Sequence, residues 1–185
     1  MNSQSVIKET EEKMKKTLDV LHQNFSGIRT GRANTGMVEN IRVDYYGTQT
    51  PLKQMANITV PEPRLIMISP WDASAVKAIE KAVGDSDLGI MPVVDGKQVR
   101  LNIPPLTGER REEMVKIVHK QAEESRVSLR SIRRDANEKI KGLEKEKAIT
   151  EDDRTKTLDS IQKLTDKYIQ NIDQAQSSKE KELQG

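Results

Sequence analysis

The sequence predicts an α+β fold: an elongated three-helix bundle with a small α/β domain inserted after its first helix. Three observations carry this. Apolar residues towards both ends of the chain recur at steps of three and four. Six of the seven prolines and most of the glycines lie between Gly31 and Pro104, where apolar and polar residues alternate instead. Charged residues make up 32% of the 185 positions, against one Phe, one Trp and three Tyr, a composition that suits long helices with narrow apolar stripes rather than one thick core.

The first helix carries Ile7, Met14, Leu18, Leu21, Phe25 and Ile28, a heptad-like series with a polar gap at Glu11. It is expected to stop near Gly31, since glycine tolerates helix-ending backbone angles. Ile41, Val43 and Tyr45 then alternate with Arg42, Asp44 and Tyr46, the pattern of a half-buried strand, and Tyr46-Gly47-Thr48 follows as a turn. Asn57–Val60 and Leu65–Ser69 are further strands. Asp72 caps a short helix through Val83, whose buried face is Ala75, Val76, Ile79 and Val83 and which Gly84 ends. Val93 to Val99 forms a hairpin around Asp95-Gly96, and Val99, Leu101 and Ile103 alternate again.

Helix returns after Pro104-Pro105, with Thr107 as N-cap. Val115, Val118, Ala122, Ser125, Leu129, Ile132, Ala136, Ile140 and Leu143 form its stripe. Ala148-Ile149-Thr150 interrupts. Thr150 with Glu151, Asp152 and Asp153 then opens a third helix, since the hydroxyl caps and the acids suit the positive end of the dipole. Its stripe is Leu158, Ile161, Thr165, Tyr168, Ile172 and Ala175. The last two helices each exceed about 30 residues and, at about 1.5 Å per residue, span roughly 50 Å. Such helices bury their stripes only by packing together. The bundle is therefore assigned residues 1–30 and 106–185, and the insert residues 31–105. Two chain passages, Arg29 to Arg32 and Ile103 to Leu106, join them, an arrangement that restrains twist and permits hinge motion.

Composition also limits function. The chain has no cysteine, so disulfides and thiolate zinc sites are excluded. No apolar run approaches the roughly 20 residues of a membrane helix. The first 16 residues resemble neither a signal nor a transit peptide, so a cytoplasmic protein without membrane contact is expected. No glycine-rich phosphate loop is present. His22 and His119 lie in polar helical settings without metal-ligand spacing, as solvated or packing histidines do. Asp152-Asp153 reads as helix-start chemistry. The residues thus supply no catalytic group, metal or cofactor site.

The arginines are more informative. Net charge is only +2, but Arg126 to Lys147 holds 8 basic and 4 acidic residues, and Glu151 to Gly185 holds 6 and 8. Arg126, Arg130, Arg133 and Arg134 share one broad helical face. Arginine's planar fork grips phosphate through parallel hydrogen bonds. No aromatic residue interleaves them, which favours phosphates of folded RNA over stacked single strands. The competing reading is a solvated face with ordinary pairs such as Glu123 with Arg126. Arg29, near the first helix's C-terminus, suits the dipole there. With Arg32 it sits at the junction, as a capped helix end or as a group for hinge control or partner contact.

At this point the sequence resembles the ribosome recycling factor family. The resemblance rests on Ile28-Arg29-Thr30-Gly31-Arg32-Ala33, Asp44-Tyr45-Tyr46-Gly47-Thr48, Thr50-Pro51-Leu52 and Asp85 to Ile90. Ile103-Pro104-Pro105-Leu106-Thr107 with Glu109-Arg110-Arg111, and Arg133-Arg134-Asp135-Ala136-Asn137, belong to the same set. So do Ile149-Thr150-Glu151-Asp152-Asp153 and Ile161-Gln162-Lys163-Leu164-Thr165-Asp166. The resemblance implies an L-shaped monomer with a three-helix bundle and a β/α/β domain. It implies binding to the large ribosomal subunit after peptide release, with elongation factor G and its GTP hydrolysis separating the subunits. It makes Arg130, Arg133 and Arg134 prime ribosomal-RNA contacts, with Arg126 on the same face. It makes Arg29, Arg32 and Arg110 lesser candidates for such contacts near the hinge, which the two chain passages assign to Arg29, Thr30, Gly31, Arg32, Pro104, Pro105, Leu106 and Arg110. Gly108, Met91 and Ser131 depart from the family's usual residues; Gly108 loosens the first turn of its helix at a cost on the order of 1 kcal/mol. Two other classes compete: a helical coiled-coil adaptor without RNA contact, and a small hydrolase using His22 or His119.

Overall fold

A computed structural model describes residues 2–185. In chain order the elements are α1 (Ser3–Ser26), β1 (Arg42–Tyr45), β2 (Thr48–Pro51), β3 (Ala56–Glu62), β4 (Leu65–Pro70), α2 (Val76–Gly84), β5 (Val93–Asp95), β6 (Gln98–Asn102), α3 (Gly108–Lys145) and α4 (Glu151–Gln184). The fold is α+β. The chain divides into two compact units: one runs as far as Arg29 and again from Gly108 to Gly185, and the other is Thr30–Thr107.

In the helical unit α1, α3 and α4 pack on one another. Asn2 starts α1 with a capping box, accepting from the Ser5 amide at 2.8 Å. The helix ends at Ser26, not near Gly31 as the apolar spacing suggested. The Ser26 hydroxyl donates to the Gln23 carbonyl at 2.7 Å, and Gly27 follows as the cap. A local hydroxyl bond followed by a weak helix former stops the helix before the apolar series ends.

The fully buried stripes depart from the expected ones at several positions, and Ile7, Leu18, Val115, Ile132 and Leu158 are only half-buried. Val6 and Thr10 lie deep in α1 where Ile7 and a gap at Glu11 were expected; Met114 replaces Val115 in α3, Thr157 replaces Leu158 in α4, and Leu183 extends the α4 stripe. Thr10, Thr157 and Thr165 are buried yet satisfied: each hydroxyl donates to the carbonyl four residues earlier, at 2.7, 2.7 and 2.8 Å. A threonine can therefore occupy an inner position without a partner on another helix.

The turn between α3 and α4 is a Schellman motif. Ala148 N–H donates to Leu143 O at 2.8 Å and Lys147 N–H to Glu144 O at 2.9 Å, while Lys147 takes φ 58°. Lysine rather than glycine holds this left-handed position, at a cost of about 1–2 kcal/mol. Ile149 packs against the buried cluster of Val6, Ala136, Ile140, Leu143 and Ile161. Thr150 then caps α4 as the sequence indicated, in a capping box with Asp153. Between helices, Lys139 Nζ lies 2.8 Å from Glu9 on α1, and Arg154 Nη1 lies 2.9 Å from Glu144. Hydrogen bonds from Lys13 and then Lys139 pull the Glu9 carboxyl down to about 2.

The second unit holds a hairpin, β1-β2, and a four-stranded antiparallel sheet ordered β3-β4-β6-β5. Tyr46 and Gly47 form the two-residue loop of the first hairpin, both with positive φ (50° and 79°), as a type I′ turn demands. Asp44 accepts from the Gly47 amide at 3.0 Å. In the β5-β6 hairpin Asp95 pairs with Gln98, so the loop is Gly96-Lys97 rather than Asp95-Gly96. Asp72 caps a 3-10 turn, Ala73–Ala75, that leads into α2. The Tyr45 hydroxyl donates to Asp72 at 2.6 Å, which fixes the first hairpin over this turn and pushes the phenol up to about 12. Ala75, Val76, Ile79 and Val83 face a core of Val43, Leu52, Ile66, Ile68, Val99 and Leu101.

Both ends of this unit meet at one turn. Ala33 N–H donates to Pro63 O at 2.7 Å, and Ile103 N–H to Arg64 O at 2.8 Å. Gly31 has φ 73°, and a Cβ there would lie 3.2 Å from the Leu106 nitrogen, so this close approach needs glycine.

Candidate nucleic-acid interface

The arginine face lies on α3, whose buried stripe through Val118, Ala122, Leu129 and Ala136 fixes what points outward. The four arginines do not share one environment. Arg126 is mostly buried, with 18% of its side chain exposed, in the seam against α4. Its Nε and Nη2 reach Asp173 Oδ1 at 3.0 and 2.6 Å, Nη1 donates to Glu123 at 3.2 Å, and Nη2 also donates to Gln176. Its fork and its charge are committed inside the bundle. The expectation that it belongs to the same outward row as the other three does not hold, because Asp173 faces it from the neighbouring helix.

Arg130 is 45% exposed in its side chain and shares Glu123, at 3.1 Å. Hydrogen bonds from Arg130 and then Arg126 hold the Glu123 carboxyl below its usual range. Arg133 is half-buried and donates from Nη1 to Gln162 Oε1 at 3.0 Å. Gln162 is neutral, so this bond orients the fork without cancelling its charge. Arg134 is exposed and makes no hydrogen bond or ion pair to a described residue. The face therefore grades from a neutralised cation at Arg126 through a shared one at Arg130 to uncompensated cations at Arg133 and Arg134. Uncompensated guanidinium groups on a rigid helix suit phosphate oxygens.

The junction residues fall on either side of the boundary between units. Arg29 closes the first stretch of the helical unit; Thr30, Gly31 and Arg32 open the second unit, and Pro104, Pro105 and Leu106 approach its end. Arg110 lies in the opening turns of α3 and pairs with Glu113 at 2.7 Å. Gly108 is the first residue of α3, and a Cβ there would meet open space. Ser131 and Met91 are exposed.

His119 is held by Glu180, 2.6 Å from Nε2, with Gln176 3.4 Å from Nδ1, and so belongs to the α3–α4 seam. His22 is exposed on α1. Among the described residues, no group of His, Asp or Glu is placed to hold a metal ion, and no helix is long and apolar enough to cross a membrane.

Sequence reasoning missed the α4 side of this face: Asp173, Gln176, Gln162 and Asp166. Only the spacing of Gln162 and Asp166, one turn apart, was visible. Which α3 arginine each would meet depends on the helix-to-helix register.

The family model described as ribosome recycling factor matches residues 21–183. The chain belongs to the ribosome recycling factor family. Among its relatives is the ribosome-recycling factor of Syntrophomonas wolfei, 54% identical over 178 residues, with 96% of each chain covered. That of Symbiobacterium thermophilum is 50% identical over 181 residues and 98% of each. A solution structure of the ribosome recycling factor matches with a TM-score of 0.78 at 44% identity, covering 100% of this chain and 98% of that one. A second match, with a TM-score of 0.66 at 45% identity and 100% of both chains, is titled as models of the T. thermophilus ribosome recycling factor and E. coli elongation factor G bound to the E. coli post-termination complex.

Proposed function

We propose that this chain binds the post-termination ribosome and, with elongation factor G and GTP, promotes separation of the subunits from mRNA. It acts as a monomer in the cytoplasm, without a cofactor of its own. Membership of the family and the relative placed with elongation factor G on a post-termination complex support this reading. The chain performs no covalent step: the chemistry is the partner's GTP hydrolysis, and this protein's contribution is mechanical. Arg133 and Arg134, whose charges are uncompensated, and then Arg130, which shares Glu123, anchor the bundle on RNA of the large subunit. Arg126 supports the seam behind them. The two chain passages, Arg29–Arg32 and Pro104–Leu106, serve as the hinge about which the Thr30–Thr107 unit is displaced, and Arg110 flanks it.

The observation that carries the anchor is the pair Arg133 and Arg134, one held by a neutral amide and the other without a partner among the described residues. A phosphate anchor has a distinct thermodynamic signature. Each lost phosphate contact lowers affinity for the ribosome and reduces the slope of log affinity against log salt by about one. Arg133→Ala with Arg134→Ala is expected to do both, and to slow polysome breakdown by elongation factor G and GTP. Unchanged affinity and slope in the folded variant would overturn the anchor and leave a helical adaptor. No acceleration of polysome breakdown by the unmodified protein would overturn the function.

A further inference from the structure

We propose that Gln162 and Asp166 of α4 are positioning residues for Arg133, presenting its guanidinium to phosphate with its charge intact. The inference rests on Arg133 being an RNA contact and extends that reading to the neighbouring helix.

Gln162 Oε1 accepts from Arg133 Nη1 at 3.0 Å, and Gln162 Nε2 donates to Asp166 Oδ1 at 2.9 Å. The order of this relay matters. A side-chain amide has one accepting end and one donating end, and here both neighbours select the same orientation: Arg133 offers only donors and Asp166 only acceptors. The Asp166 carboxylate is an acceptor only. Placed four residues along α4, it takes the NH2 end and so holds the amide with its oxygen towards α3. The oxygen then holds one of the five N–H donors of Arg133 and leaves the others for a ligand.

The neighbouring seam shows what a different partner does. Arg126 also meets an amide of α4, Gln176, but beside it stands the Asp173 carboxylate, which takes two of its N–H groups and offsets its charge. At Arg133 the negative charge is set one residue further back, on Asp166, with a neutral amide between. The guanidinium is ordered before it binds and remains a full cation. Ordering one flexible side chain in advance corresponds to about a 2- to 10-fold gain in affinity.

A bond that merely joins α3 to α4 would share this geometry, so the test separates the two roles. Ribosome affinity and thermal unfolding are measured for Gln162→Ala, Gln162→Glu and Asp166→Asn, and for Arg133→Ala alone and combined with Gln162→Ala. Gln162→Glu preserves or strengthens the link between the helices but places an anion against Arg133. Ribosome binding is expected to weaken by at least the factor seen for Gln162→Ala, with no loss of melting temperature. Asp166→Asn, which loosens the hold on the amide's NH2 end, is expected to weaken binding less. With Arg133 already replaced by Ala, Gln162→Ala should cost nothing further. If Arg133→Ala weakens binding while Gln162→Ala and Gln162→Glu leave it unchanged, the positioning role is overturned and the RNA contact stands. An equal loss from Gln162→Ala with or without Arg133 overturns it too, because the effect would not pass through the arginine. If Arg133→Ala itself leaves binding unchanged, the anchor reading falls and this inference with it.

Discussion

The helical unit and the inserted unit bury their interiors by different means. Every buried residue of the insert is apolar, from Val38 and Val43 to Leu101 and Ile103, and strands from two sheets close around α2. The bundle has only stripes to bury. It accepts Thr10, Thr157 and Thr165 at inner positions and links its helices at the rim through Glu9–Lys139, Arg126–Asp173 and Glu144–Arg154. The difference shows how each unit should fail. The insert should be sensitive to lost volume, and the bundle to lost polar links along its seams.

The largest effect expected is on volume. Leu101 is fully buried, and Leu101→Ala should destabilise the insert by about 2–5 kcal/mol. Hydrogen exchange should show lost protection in β3, β4 and β6 while α3 and α4 keep theirs; equal loss in both units would break the comparison. Next is the seam. Arg126→Ala removes charge-assisted bonds at a mostly buried guanidinium and should cost about 1–3 kcal/mol in denaturant unfolding. Its effect on ribosome affinity should be smaller than that of Arg133→Ala, whose effect on stability should in turn be smaller. The opposite ranking would return Arg126 to the binding face.

A smaller gain is expected at Gly108. Its position is helical and open, so Gly108→Ala should raise stability by about 1 kcal/mol, visible as a higher midpoint. The smallest effect is a change of slope with pH. The folded state holds the Glu9 carboxyl at about 2 against an ordinary value of 4.5. Its contribution is therefore complete above about pH 4.5 and disappears as pH falls towards 2. Thermal unfolding of Glu9→Gln across that window should show a shallower dependence than the unmodified chain; an unchanged slope would remove Glu9 from the list of links between α1 and α3.

Most of this organisation was legible in the sequence, and the parts that were not share physical causes. Period alone located the helices and separated them from the strands. It could not fix helix phase where two apolar residues adjoin, as at Val6-Ile7 and Met114-Val115. Nor could it admit threonine to the interior, because the carbonyl that satisfies each hydroxyl belongs to its own helix. The turn at Lys147 was hidden because glycine, the residue that signals such a conformation, is absent. At the candidate interface, the four arginines were visible as a face but their ranking was not. Asp173 and Gln162 follow Arg126 and Arg133 by 47 and 29 residues, and only the packing of α4 on α3 decides which cation is neutralised.

The close approach of Gly31 to Leu106 also bears on how the chain assembles. The hairpin of α3 and α4 is built from neighbouring sequence and closes through a short turn, so it is expected to form early. Helix α1 must join it across the whole Thr30–Thr107 segment, a long loop if that segment is still unfolded. Once the insert has folded, the Pro63–Arg64 turn binds both of its ends and Gly31 lies against Leu106. The loop that α1 has to close is then only a few residues in effect. Each tenfold shortening lowers the entropy of closure by about 2 kcal/mol. The insert thus works as a clasp during folding, and the absence of a side chain at residue 31 lets the clasp shut.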